Sequence, residues 1–209
     1  MRAAVFGLAV FWVLAIASPL SKLNKPTVEV EYLNIGTPER IAKATEIVNK
    51  RYQEAADRTA RGLPEKTKNI THPLNATSAK DIVYCKNKPQ INKKEFETTV
   101  EVFKDWCDTD DGRASSFHHR YYDHGGVRVA LCNWGFWNPC RSEELDSAWT
   151  ALDLACSENG GSGGADGETV SAGLWYRSAW LKGYFRTNCA TGDLCDGDRT
   201  KVPCYDSGD

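Results

Sequence analysis

Three histidines and four carboxylates crowd one short stretch. His118, His119 and His124 lie near Asp108, Asp110, Asp111 and Asp123. An imidazole beside a carboxylate is the smallest set that supports acid–base hydrolysis or holds a metal ion. A cleft must fix such a pair. Here Gly and Ser interrupt the stretch, and no helical or strand spacing orders it, so it reads first as a solvated loop. A metal site and a small hydrolase or ribonuclease are its rivals. Asp108–Gly112 is superficially like a calcium loop, yet lacks the alternating ligands and the distal Glu. No P-loop or His-Glu-x-x-His motif occurs. We therefore expect no catalytic residue, no metal and no cofactor.

The second cluster is aromatic. Trp134, Phe136 and Trp137 fall between Cys132 and Cys140, and Trp175, Tyr176 and Trp180 follow in a later apolar run. Exposed rings stack on sugars or sit at membrane interfaces, whereas buried rings build a core. Both parities of the later run are filled, so some of its rings must face outward. Trp134, Phe136, Trp137, Trp175 and Trp180 are the candidate binding surface.

Cysteine supplies the third chemistry. Cys85, Cys107, Cys132, Cys140, Cys156, Cys189, Cys195 and Cys204 make an even set confined to the C-terminal part of the chain. No Cys-x-x-Cys pair and no finger-like Cys–His spacing argues for zinc. Up to four disulfides are expected, and with them an oxidising compartment. Eight cysteines allow 105 pairings, which the spacing leaves open.

Elements must position these groups. Val28, Val30 and Tyr32 alternate with Glu29 and Glu31, which predicts a short extended piece. Thr37-Pro38 opens a helix, with Thr37 as N-cap. Ile41, Ala44, Val48, Tyr52 and Ala55 form a narrow apolar stripe, closed by Gly62 and Pro64. A strand follows at Asp81–Cys85, broken by Pro89. Asn92 then caps a helix, with Glu95 completing a capping box and Ile91 and Phe96 a hydrophobic staple. Phe96, Val100, Phe103 and Cys107 share one face. Residues 127–132 alternate as a half-buried strand. A second helix opens near Ser142, with Leu145, Trp149, Leu152 and Cys156 repeating the same offsets. Both helices thus end on a cysteine, which predicts that each end is tied to a strand or a strand-flanking loop. Gly160–Gly167 reads as a flexible loop. Residues 172–181 and 184–187 read as the last strands, before a turn-rich tail pinned by its own cysteines. The expected fold is α+β, two helices on one face of a mostly antiparallel sheet, stapled by disulfides and preceded by a helical leader.

The domain organisation follows. Residues 1–17 read as a signal peptide: Arg2, an apolar run, then Ala15-Ile16-Ala17. The run is short for a membrane anchor, the rival reading. Residues 18–61 are a leader or pro-segment, with Lys50-Arg51 either a dibasic processing site or a solvated helix face. Residues 62–80 are a polar linker carrying sequons at Asn69 and Asn75. Residues 81–209 are the cysteine-rich domain. The leader and linker are net basic and the domain net acidic, which argues against nucleic acid as a partner.

The order of these elements, with Leu131-Cys132-Asn133 ending a strand and Gly183-Tyr184-Phe185-Arg186 after an aromatic strand, resembles small cysteine-rich secreted fungal proteins. These are the necrosis-inducing extracellular effectors and the killer toxins thought to share their α/β-sandwich. The resemblance covers residues 81–189 and rests on order and spacing. It implies action on host or competitor cells, without catalysis and with no catalytic residues to carry over. The long cysteine-free leader and the cysteine-rich tail depart from it. The expectation is a secreted, monomeric, non-enzymatic effector or toxin-like protein that binds a cell-surface component through its aromatic rings. A carbohydrate-binding module for cell-wall polymer is the main alternative.

Overall fold

A computed structural model describes residues 28–62, 81–109, 112–158, 168–195 and 197–205. The stretches expected as signal peptide and flexible loop, residues 1–17 and 160–167, lie outside them, as do Asn69, Asn75, Asp110 and Asp111. In chain order the elements are β1 (Glu29–Tyr32), α1 (Pro38–Ala60), β2 (Asp81–Asn92), α2 (Lys93–Cys107), β3 (Arg113–Ala114) and β4 (His118–His124). They continue with β5 (Val127–Asn133), β6 (Asn138–Pro139), α3 (Ser142–Glu158), β7 (Thr169–Arg177), β8 (Lys182–Asn188), β9 (Asp193–Leu194) and β10 (Gly197–Lys201).

Six strands form the main sheet in the order β1-β4-β5-β8-β7-β2. Every pairing is antiparallel except the parallel β1–β4 edge. Helices α2 and α3 pack on one face, and α1 packs on α2. The expected α+β class is thus present, with a third helix and a parallel edge added. Residues 28–60, expected as a leader that buries little, supply both additions. Leu33, Ala44 and Val48 of this segment are buried. Lys50-Arg51 falls inside α1, where the Arg51 guanidinium donates to the Glu101 carboxylate at 2.8 Å.

Local sequence signals explain the helices. Thr37 Oγ1 accepts from the Arg40 amide at 3.3 Å, and Asn92 Oδ1 accepts from the Glu95 amide at 3.0 Å. Each cap satisfies an amide that the first helical turn leaves without a partner. Both staple residues, Ile91 and Phe96, are buried, as are all eight stripe residues of α2 and α3. Helix α3 comes so close to the sheet that Gly173 has no room for a side chain. A Cβ there would stand 2.6 Å from Leu152 Cδ2 and 2.6 Å from the Tyr84 carbonyl oxygen.

Three local readings are corrected. Residues 118–124, read as a polar loop, are strand β4, joined to β5 by Gly125-Gly126 with φ of 58° and 75°. Two positive φ values in a two-residue connection suit a hairpin whose twist matches its strands. Pro89 does not end β2. The strand continues to Asn92 through a register shift between Lys86 and Gln90, on a sheet edge where a missing N–H is tolerated. Strand β5, read as half-buried, is buried along its whole length.

The cause of that full burial is the tail. The second sheet face carries Tyr121, Ala130, Cys132 and Phe185, and Leu194 and Cys195 pack onto them. At the centre of this layer sits Arg128, fully buried. Its Nε and Nη2 donate to the two oxygens of the buried Asp123, at 2.8 and 2.7 Å. Its other protons go to the carbonyls of Asp193 (3.2 Å), Val202 (3.3 Å) and Pro203 (2.7 Å). Asp123 also accepts from the Tyr205 amide at 3.0 Å. One ion pair therefore fastens four points of the tail to the sheet.

Four disulfides complete the frame: Cys85–Cys156, Cys107–Cys140, Cys132–Cys195 and Cys189–Cys204. The ends of α2 and α3 are tied as expected, α3 to strand β2 and α2 to the loop after β6. The tail is pinned once to itself and once to β5.

Candidate functional site

The histidines do not gather. They lie along β4 rather than in a loop, and strand alternation sends His119 to the opposite face from His118 and His124. His118 meets Glu29 of β1 through Nε2 (2.6 Å) and the Ser116 carbonyl through Nδ1 (2.9 Å). His119 is buried, and its Nδ1 accepts the Asn133 amide at 3.1 Å, which places the ring proton on Nε2. His124 stacks on Tyr122 at the far end of the strand. The two described carboxylates have structural tasks as well. Asp123 holds Arg128, and Asp108 Oδ1 accepts from the Ser142 amide at the start of α3 (3.3 Å). Asp123, Cys189 and Cys204 come close together, but both sulfurs are committed to a disulfide.

The aromatic candidates divide in two. Trp175 is a core residue, 1% exposed and stacked on Tyr184, so it leaves the proposed surface. It points to the helix face, where a large ring fills the space beside α3. Trp134 folds back over the other face and lies edge-on between His119 (5.1 Å) and Tyr176 (5.3 Å). The remaining three are surface residues: Phe136 is 78% exposed, Trp137 56% and Trp180 38%. Leu181, which the aromatic pattern passes over, joins them at 44%. Two loops, 134–137 and 178–181, thus form one apolar tip at the end of β5 and β8.

Asn133 builds the tip. The side chain is buried and its amide is saturated. Nδ2 donates to the Ser115 and Phe136 carbonyls (2.7 and 2.8 Å), and Oδ1 accepts from the Gly135 amide (3.1 Å) and Asn138 Nδ2 (2.8 Å). Asn138 then reaches the Trp180 carbonyl at 3.0 Å and joins the two loops. The backbone adds Trp134 N–H to the Leu181 carbonyl (2.8 Å) and Phe117 N–H to the Gly135 carbonyl (2.9 Å). Cys107–Cys140 anchors the base.

Two features show that the tip is held rather than relaxed. Phe117 (φ 57°) and Leu181 (φ 49°) are the non-glycine residues with positive φ among those described, and both touch the tip. For bulky side chains this region costs about 1–3 kcal/mol and persists only where the surroundings impose it. The indoles are also braced by cations. Arg113 lies 5.3 Å from the Trp137 ring, and Arg177 lies 4.1 Å from Trp180 and 5.0 Å from Trp175. Arg177 is oriented by a bidentate pair with Asp81 (2.7 and 2.9 Å), and that hydrogen-bonded carboxylate raises its pKa. Lys182, 5.0 Å from Trp180, is buried against Glu144 and the Pro139 carbonyl. Burial lowers its pKa, opposed by the Glu144 charge.

Asn133→Ala leaves the Ser115 carbonyl, the Phe136 carbonyl and the Gly135 amide without this partner. A destabilisation of about 2–3 kcal/mol is expected, with faster amide exchange across residues 134–138. An unchanged exchange rate there counts against Asn133 as the organiser of the tip. Asn133 is not among the residues whose type alone suggests a site. Its signal was Asn133 at a strand end, two residues before Gly135 and five before Asn138, a turn-forming pattern.

No helix among the described residues is long and apolar enough to cross a membrane. Compared with protein-family models, with curated proteins and with solved structures, the chain matches none.

Proposed function

We propose that the chain is a secreted, non-enzymatic effector or toxin-like protein that acts on host or competitor cells by binding their surface. The observation that carries this reading is the rigid, exposed tip of Phe136, Trp137, Trp180 and Leu181. Large apolar side chains held in one conformation lose little entropy on binding, and aromatic anchors dominate many interfaces. Four disulfides on a small sheet suit a protein that works in an oxidising, protease-rich exterior. The resemblance in element order to fungal secreted effectors and killer toxins supports the same reading.

The test is electrolyte leakage from plant tissue, and growth of competitor fungi, after adding the purified oxidised protein. Phe136→Ser with Trp137→Ser is expected to lower potency at least about tenfold while near-UV and far-UV dichroism stay native. Reduced and alkylated protein is expected to be inactive. Full potency in the double variant, or no effect of the wild type on either target, counts against the reading. Trp134 is a poor probe, because its contacts with His119 and Tyr176 mix packing with binding.

A further inference from the structure

We propose, resting on the surface-binding reading above, that the ligand of the tip is the phospholipid bilayer itself. The tip would enter the headgroup region with Phe136, Trp137 and Leu181 leading.

The first reason is shape. One cleft, about 870 Å³, lies between α1, α2 and the start of α3, with Arg40, Glu101, Asp105 and Asp146 on its walls. Another, about 340 Å³, lies on the same side of the molecule, beside Tyr52, Phe96 and Trp149. Neither includes a residue of the tip. The tip is two turns that project from strand ends, and such a convex shape enters a fluid interface more readily than it cradles a ring or a side chain.

The second reason is chemistry. Phe136 and Leu181 have no polar group, while the indoles of Trp137 and Trp180 carry one N–H each. Indoles favour the headgroup level, and Phe and Leu the region just beneath it. Two acids near the tip are occupied from below. Asp81 pairs with Arg177, and Glu144 pairs with Lys182 and accepts from Tyr184 Oη at 3.0 Å. Cations stand beside the rings. Arg113 is exposed against Trp137, and Arg141 is exposed just past Cys140. Both face solvent, where a guanidinium can meet lipid phosphate. Net acidity elsewhere on the domain is screened over roughly 8 Å at physiological salt, so it opposes this contact weakly.

The third reason is rigidity. A bilayer offers no complementary pocket to order a loop. The tip must therefore be ordered in advance, and Asn133, Asn138 and the two positive-φ residues do this without any ligand.

The experiment is co-sedimentation of the oxidised full chain with vesicles, of phosphatidylcholine alone and of phosphatidylcholine with phosphatidylserine. Quenching of tryptophan emission by brominated lipid is read in parallel. Wild type is expected to partition onto both, more strongly with phosphatidylserine. Phe136→Ser with Trp137→Ser is expected to weaken partitioning at least about tenfold on both. Arg113→Gln with Arg141→Gln is expected to remove most of the advantage of phosphatidylserine while binding to phosphatidylcholine alone persists. Leu154→Ser, an exposed leucine on α3 far from the tip in the fold, serves as the control and is expected to bind as wild type. Absence of wild-type binding overturns the lipid assignment. If the tip variant still loses activity on cells in that case, surface binding stands and its ligand is a protein or a glycan. Vesicle binding that survives the tip substitution also overturns the assignment. Cell activity that survives it removes the surface reading as well.

Discussion

Arg128→Met is expected to destabilise the domain by about 3–5 kcal/mol, the largest effect of any single side chain outside the disulfides. The substitution keeps most of the apolar stem but leaves Asp123 buried and charged, with only the Tyr205 amide to solvate it. Three tail carbonyls lose a donor in the same step. The measurement is urea unfolding with all disulfides intact, alongside amide exchange at Tyr205. Adding Asp123→Leu to Arg128→Met is expected to recover more than half of the loss, because an apolar pair can replace a buried ion pair. A loss below about 1 kcal/mol for Arg128→Met would show that water reaches Asp123 and that the tail is not sealed.

Removing the Cys85–Cys156 bridge with paired alanines is expected to cost about 4 kcal/mol, because it closes 71 residues of chain. This bridge joins the edge strand β2 to the end of α3, with the whole of α2, β4 and β5 between. Cys189–Cys204 closes 15 residues, and its loss is expected to cost about 3 kcal/mol by the same loop-closure argument. Both are read as drops in thermal midpoint, of about 10 °C or more for Cys85–Cys156. If the shorter loop proves the costlier one to open, native-state packing of the tail rather than chain entropy sets the stabilisation.

The local half of the fold was legible because its signals act over a few residues. Asn92 with Glu95 and Ile91 with Phe96 need only one helical turn to meet, and they begin α2 where the sequence places them. The stripes ending in Cys107 and Cys156 each repeat at helical spacing, and both cysteines reach a strand or a strand-flanking loop. Strand β4 also carries a local signal. Gly125-Gly126 between two runs of β-forming residues is a hairpin mark, and the polar letters of His118–Asp123 concealed it. These polar residues belong inside because the sheet is covered on both faces, a fact about the layers rather than about the strand.

The segments that required the tertiary structure are those whose partners lie far along the chain. Nothing within reach of Arg128 announces that residues 193–205 will return to cover it, so β5 reads as half-exposed when it is wholly buried. The aromatic residues show the same division. Their types and their position between cysteines marked a surface, but parity could not say which ring faces α3, and Trp175 does. Leu181 joined Phe136 and Trp137 only once β5 and β8 were paired, since Asn133 stands opposite Lys182 in that register. The helices, their caps, the helical placement of Cys107 and Cys156 and the presence of exposed rings follow from the sequence alone, through contacts within one or two turns of chain, while the pairing of the cysteines does not. Only the tertiary structure decided which faces the tail, α1 and β1 would cover, and that two distant loops meet as one tip, because burial is set by chain that returns from elsewhere.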